Sequence, residues 1–221
     1  MSKLTKKSIP TILFFIAAIT DIWGVITANE TMRTIAKPML MTLLAVVYLV
    51  SIKKPFFWYV FGLFFSFVGD VLLMFDGAKF FMFGLSAFLL AHVMYIKVTA
   101  SFIPKKSFGK IISSVFPFVL FFGILMFLIY PNLGEMLLPV AVYGITISTF
   151  GVVALVNYRN EKSTENIWLI IGAIIFILSD SLIALNKFYE PNEIYGVTIM
   201  VTYILAQYLI CKAMIVKHSS E

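Results

Sequence analysis

The chain is built almost entirely from apolar runs of membrane-spanning length, and that pattern limits its fold more than any motif does. Eight runs follow one another: Ile9 to Ile26, Pro38 to Ile52, Phe56 to Phe75, Phe80 to Thr99, Ile111 to Tyr130, Met136 to Val156, Ile167 to Leu185 and Ile194 to Val216. A helix needs about 20 apolar residues to cross a bilayer, and a backbone without water must satisfy its own N–H and C=O groups, which a helix does within one segment. Hydrophobic residues at 61%, charged residues at 13% and a mean hydropathy of +1.00 exclude a water-soluble domain. The expectation is an all-α polytopic membrane protein, a single integral membrane domain over residues 1–221 with about eight transmembrane helices. The first run carries Asp21 and Trp23 and lacks a small-residue cleavage site, so it reads as a retained span and not a signal peptide. Lys37-Pro38 opens the second, where proline suits the first helical turn, and Arg33 falls in the loop before it.

The basic residues set an expected orientation. Lys3, Lys6, Lys7, Lys53, Lys54, Lys97, Lys105, Lys106, Lys110, Arg159, Lys162, Lys212 and Lys217 fall on one side, against Arg33, Lys37, Lys79 and Lys187 on the other. Because cytoplasmic loops are enriched in Lys and Arg, both termini are expected in the cytoplasm, most simply of a bacterial cell whose inner membrane holds the protein. The net charge of +6 reflects this topology and does not imply nucleic-acid binding. One cysteine, Cys211, excludes an intrachain disulfide and a cysteine-based metal cluster. His218 lacks zinc spacing with the carboxylates, so no metal and no cofactor are expected. The sequence leaves the oligomeric state open.

Polar residues inside the runs are the candidates for function. Ser179-Asp180-Ser181-Leu182-Ile183 echoes Gly69-Asp70-Val71-Leu72-Leu73 at a separation of 110 residues, half the chain. A charge at bilayer depth costs roughly 2.5–3.5 kcal/mol, and such residues face the bundle interior and mark function. The echo also raises the reading of two parallel four-helix repeats. Asp21, Asp70 and Asp180 each lie about six residues from the outer end of an outward-running span, roughly 9 Å deep. Tyr143 and Tyr203 lie about a turn deeper, and Lys37 stands at the outer mouth of its span. A polar cavity opening away from the cytoplasm, with Asp70 and Asp180 facing across it, is the simplest packing.

The run Phe81 to Tyr95 containing Leu90-Ala91-His92, the run Ser179 to Lys187, Gly69-Asp70, Lys37-Pro38 and Thr202-Tyr203-x-x-x-Gln207 together resemble the YhhN-type lysoplasmalogenase family. The resemblance covers nearly the whole chain. It implies an eight-span bundle that hydrolyses the vinyl-ether bond of lysoplasmalogens, giving a fatty aldehyde and a glycerophospho-alcohol, with a lysophospholipid in the membrane as partner.

The residues suit that chemistry. Vinyl-ether hydrolysis needs a proton delivered to the β-carbon, and water then captures the oxocarbenium ion. Two neighbouring carboxyl groups, one protonated and one charged, supply acid and base as they do in glycoside cleavage. Asp70 and Asp180 are the candidate catalytic pair, with Ser179 and Ser181 placed to orient a protonated Asp180. Candidate substrate-binding residues are Lys37 for a lipid phosphate, Tyr143, Tyr203, His92, Asp21, Ser179 and Gln207. Each has a structural alternative: the aspartates as interhelical hydrogen bonders or sodium ligands, Asp21 as a rim residue, His92 as a packing histidine, the tyrosines and Gln207 as helix glue, Lys37 as a snorkelling lysine. A proton- or cation-coupled transporter built on the same carboxylates is the main alternative function, and a non-catalytic lipid-binding scaffold a third.

Reporter fusions after Lys110 and Arg159 are expected to read cytoplasm, and fusions after Lys79 and Lys187 the opposite side. Reversed reporters would overturn the orientation.

Overall fold

The computed structural model describes residues 3–103 and 108–219. Among them the chain forms eight α-helices: α1 (Lys3–Ile26), α2 (Glu30–Ser51), α3 (Phe57–Leu72), α4 (Ala78–Ser101), α5 (Phe108–Ile129), α6 (Leu137–Asn160), α7 (Thr164–Phe188) and α8 (Glu193–Ser219). Short 3-10 turns at Tyr130–Asn132 and Gly134–Met136 join α5 to α6. Seven helices are long and apolar enough to cross a membrane, while α3, at 16 residues, spans about 24 Å. The chain is an all-α integral membrane protein.

Neighbouring helices alternate in direction. Lys97 stands over Trp58, Lys212 over Trp168 and Lys217 over Phe102, each pair joining the end of one helix to the start or end of another. Those residues share one end of the bundle with Lys110, whose Nζ donates to the Arg159 carbonyl at 3.1 Å. Lys105 and Lys106, and the side chains of Lys3 and Lys6, lie outside the described residues. At the other end turn the α1–α2, α3–α4, α5–α6 and α7–α8 connections, and there Asn132 donates to the Phe188 carbonyl at 2.8 Å. This is the site end.

Packing closes a ring. Each of α1 to α3 packs on the next, α4 passes over to α6, α6 to α7, and α8 returns to α7, α1 and α2. α5 lies outside it against α6 and the edge of α7, burying only Ser114, Phe118 and Ile129 while Phe116, Val119, Leu120, Ile124 and Phe127 face outward. It is held by hydrogen bonds at the end away from the site, where Arg159 Nη1 donates to Ser113 and Ser114, and by Ile129 in an apolar cluster with Val140 and Phe188 at the site end.

Two departures from the apolar-run reading bear on the site. α2 begins at Glu30, capped by the Asn29 side chain on the Met32 N–H, so Pro38 lies inside the helix and not in its first turn. Arg33 and Lys37 therefore stand one turn apart on the same face, and Arg33 is not a loop residue. α3 stops at Leu72, and Leu73 turns to pack where a side chain at Gly84 would otherwise sit. Asp70 is consequently two residues from its helix end, Asp21 five and Asp180 eight, in place of the equal offsets of about six read from the runs.

α7 and α8 pack tightly at Gly172, where an added Cβ would stand 3.2 Å from the Ala206 carbonyl oxygen. Gly172→Leu is expected to destabilise the bundle by about 1–3 kcal/mol, read as a lower thermal midpoint in detergent. Gly123→Leu, where a Cβ meets nothing within 4 Å, should leave that midpoint unchanged or slightly higher.

Candidate active site

Asp70 accepts a hydrogen bond from Tyr203 Oη at 2.7 Å, across the ring interior from α3 to α8. Behind that tyrosine lies a buried network. Gln207 Nε2 donates to Ser66 Oγ at 3.2 Å and to Tyr203 Oη at 3.4 Å, while its Oε1 accepts from Tyr95 Oη at 3.2 Å. Since the Tyr95 proton goes to Gln207, Ser66 is the donor in its 3.2 Å contact with Tyr95 Oη. One line of donors thus runs from Ser66 through Tyr95, Gln207 and Tyr203 to the Asp70 carboxyl group, while the other Gln207 amide proton returns to Ser66. Ser66 and Tyr95 were not among the sequence candidates. A hydroxyl within a span can bond its own helix backbone, so such residues carry little positional information of their own.

Asp180 has a separate partner, Tyr143 on α6, whose hydroxyl donates to its Oδ2. Unlike Asp21 and Asp70, which are buried, Asp180 is partly exposed, and it lies in the walls of two cavities. One is bounded by α5, α6 and α7 through Phe121, Leu125, Tyr143 and Ala184; the other reaches Leu73, Leu85 and Phe88. Each holds about 40 Å³, more than the ~10–15 Å³ a water requires. Their walls are mostly apolar, in place of the polar cavity expected from the sequence. Asp70 is not in either wall, since Tyr203 covers it and Phe88 and Phe176 pack edge-on against that tyrosine. The two carboxylates are nonetheless close enough to interact electrostatically.

His92 stands between the two groups. Its Nδ1 donates to the Phe88 carbonyl at 2.8 Å, leaving Nε2 buried without a partner. The ring lies edge-on to Phe176 at 4.6 Å and Tyr143 at 5.7 Å. Ser179 does not orient Asp180: its hydroxyl donates to the Ile199 carbonyl of α8 at 3.0 Å, and Ser181 donates to Ile177 on its own helix at 2.7 Å. Both serines join or brace helices. Lys37 is buried on α2 within electrostatic reach of Asp70 and Asp21. Asp21 is fully buried, and neither of its oxygens is hydrogen-bonded.

Fold and site together define a polytopic helical membrane protein in which two interior carboxyl groups each accept from a tyrosine on another helix. The sequence pattern of the YhhN family matches residues 32–214, and the chain belongs to that family. A lysoplasmalogenase of Mycobacterium bovis is 34% identical over 158 residues, covering 69% of this chain and 58% of that protein. Human lysoplasmalogenase TMEM86A is 32% identical over 154 residues, 67% of this chain and 61% of its own length, and rat lysoplasmalogenase TMEM86B 30% identical over 145 residues. The chain thus spans about three fifths of the curated relatives it matches, 58% and 61% for the first two. No solved structure matches it.

Gln207→Leu removes the amide that joins Ser66, Tyr95 and Tyr203, and is expected to cost about 1–2 kcal/mol. Combined with Tyr95→Phe, the losses in thermal stability should fall short of their sum, because both changes break the same network.

Proposed function

We propose that this protein hydrolyses the vinyl-ether bond of a lysoplasmalogen within the membrane, with Asp180 and Asp70 as the acid–base pair. The observation that carries the reading is the placement of Asp180, held by Tyr143 and open to two mostly apolar cavities while Asp70 stands within electrostatic reach. Membership of a family whose named relatives are lysoplasmalogenases supplies the reaction class.

In this scheme protonated Asp180 delivers its proton to the β-carbon of the vinyl ether, and positive charge develops on the α-carbon and its oxygen. Water adds to the α-carbon and gives its proton to ionised Asp70 by way of the Tyr203 hydroxyl that covers it. The hemiacetal then collapses: its hydroxyl proton passes to Asp180, the bond to the glycerol oxygen breaks, and Asp70 returns its proton to that oxygen by the same route. Both carboxyl groups end as they began. Asp70 suits the charged role because it accepts from Tyr203 and lies near Lys37. Asp180 suits the acid role because it borders the space a substrate can enter. This assignment replaces the one resting on Ser179 and Ser181, whose hydroxyls are used elsewhere.

The hydrocarbon chain would lie along α5. A lateral groove of about 290 Å³ between α5, α6 and α7 shares Phe121 and Ile177 with the cavity beside Asp180. A lipid could enter there without crossing the ring. The site end is assigned to the non-cytoplasmic face and both termini to the cytoplasm of a bacterial inner membrane, on the strength of the Lys and Arg asymmetry.

Purified protein given a lysoplasmenyl lipid in detergent is expected to release free aldehyde. Asp70→Asn and Asp180→Asn should each lower the rate by about 10² or more, and the double variant should be little worse than either single one, as for groups that act as a unit. Near-wild-type turnover in either variant at equal stability would remove the aspartates from the chemistry. Ion-driven uptake into proteoliposomes with no aldehyde would favour a transporter.

A further inference from the structure

The cavity beside Asp180 and the lateral groove are separate hollows that meet at two side chains, Phe121 of α5 and Ile177 of α7, which line both. Both are held in place. Phe118 and Phe122, on either side of Phe121 along α5, sit in notches on α6 where a Cβ on Gly151 or Gly144 would collide with their rings, so α5 cannot turn Phe121 away without unseating them. Ile177 is buried, and its Cδ1 would stand 2.8 Å from a Cβ on the same Gly151. It precedes Asp180 by about one turn, roughly 4.5 Å along the axis of α7. From there the groove runs away from the site end past Ile174 and Ile170, walled also by Pro117 and Leu155, and every residue lining it is apolar. One side of it is open, since Ile174 and Leu178 are exposed.

We propose that Phe121 and Ile177 form a constriction that selects the substrate by the shape of its hydrocarbon next to the vinyl ether, passing an unbranched chain and refusing one branched there. This rests on the lysolipid reading above and adds the class of hydrocarbon chain to it. With the β-carbon at the Asp180 carboxyl group, the carbons that follow must pass between Phe121 and Ile177 to reach the groove. A methyl branch at that point needs volume that two seated side chains yield only with strain. Farther along, the open side of the groove lets a branch or added length lie against the bilayer. Selection therefore works by exclusion, because lipid tails are as apolar as the groove and contact alone favours neither. The order along the protein also follows the order along the lipid: carboxyl group, constriction and groove succeed one another as the reacting bond, the first methylenes and the tail do.

The test uses 1-O-alkyl lysolipids of one headgroup, which lack the vinyl ether and cannot be cleaved, with the full chain in detergent. Equilibrium binding is measured for a straight chain, a chain with a methyl group on the fourth carbon from the ether oxygen, and a chain with the methyl group near its far end. Wild-type protein is expected to bind the straight and distally branched lipids alike and the proximally branched one about tenfold or more weakly, the scale of one misplaced methyl in an apolar pocket. Phe121→Ala should bring the three affinities together, and Phe121→Trp should weaken the straight chain as well. Equal binding of the three lipids by wild-type protein, or an undiminished penalty for the proximal branch in Phe121→Ala, would overturn the constriction. The wild-type comparison stands even where a variant fails to fold. Aldehyde release from the vinyl-ether forms at equal rates for all three chains would remove the constriction and leave the hydrolase reading; discrimination among the alkyl lipids with no aldehyde from any vinyl-ether form would do the reverse.

Discussion

Inside a hydrocarbon layer a polar side chain has no water to bond, so its partner must come from the protein, and the interior of this bundle is arranged around that constraint. Asp70 meets it through Oδ2. Tyr203, Gln207, Tyr95 and Ser66, from three helices, form one connected set of donors that ends on its carboxyl group. Asn157 meets the same demand between α6 and α4 by donating to the Thr99 carbonyl at 3.0 Å. Such bonds are modest singly, about 0.6 kcal/mol in membrane proteins, but they dictate which helix faces which. The ring of helices around α3, α4 and α8 follows from them as much as from apolar packing, since lipid offers an apolar face an equally good neighbour.

How much of this could be read in the sequence depended on whether a residue's position is decided by composition or by geometry. Apolar runs located all eight helices because the cost of inserting a segment depends on what it contains. They misplaced several ends, and two of these bear on the site, where helix and hydrophobicity part company. The first two turns of α2 carry Glu30, Arg33 and Lys37, so no apolar run announces them, although Asn29 is a good cap. Leu73 to Phe75 are apolar yet lie in a turn, because a short connection to α4 needs those residues out of the helix. Asp70 and Asp180 stood out as candidates because a carboxylate in a span is rarely incidental. Tyr95 and Ser66 did not, since a phenol or hydroxyl in a helix has many harmless uses. The rings of Phe88 and Phe176, which separate the two carboxylates, are indistinguishable in sequence from the many phenylalanines facing outward.

The matched motifs around Asp70 and Asp180 do not extend to their surroundings. A duplication of four helices would pair α3 with α7 and α8 with α4, so the counterpart of Tyr203 should come from α4. The partner of Asp180 comes from α6 instead, and α4 contributes His92, which bonds its own backbone. The two halves also differ in packing: α1 and α2 are built into the ring through α8, whereas α5 rests outside it. Whatever the origin of the echo, the two carboxylates occupy different environments.

That difference is what a pair of acid–base groups requires. Two carboxyl groups in equivalent surroundings would compete for one proton with no preference between them, and the assignment of acid and base would be lost. Here a tyrosine-led network and a lysine surround Asp70, which is closed off by aromatic edges, while Asp180 has one tyrosine and an open side. A charge is better accommodated in the first setting and a transferable proton is better placed in the second. α5, outside the ring, lies on the open side, bonded to α6 through Lys110 and Arg159 at the far end, packed through Ile129 at the site end, and lining the cavity between. With the roles proposed for the pair, a substrate arriving from the lipid would meet the proton donor first, with the charged partner behind it and shielded from the bilayer.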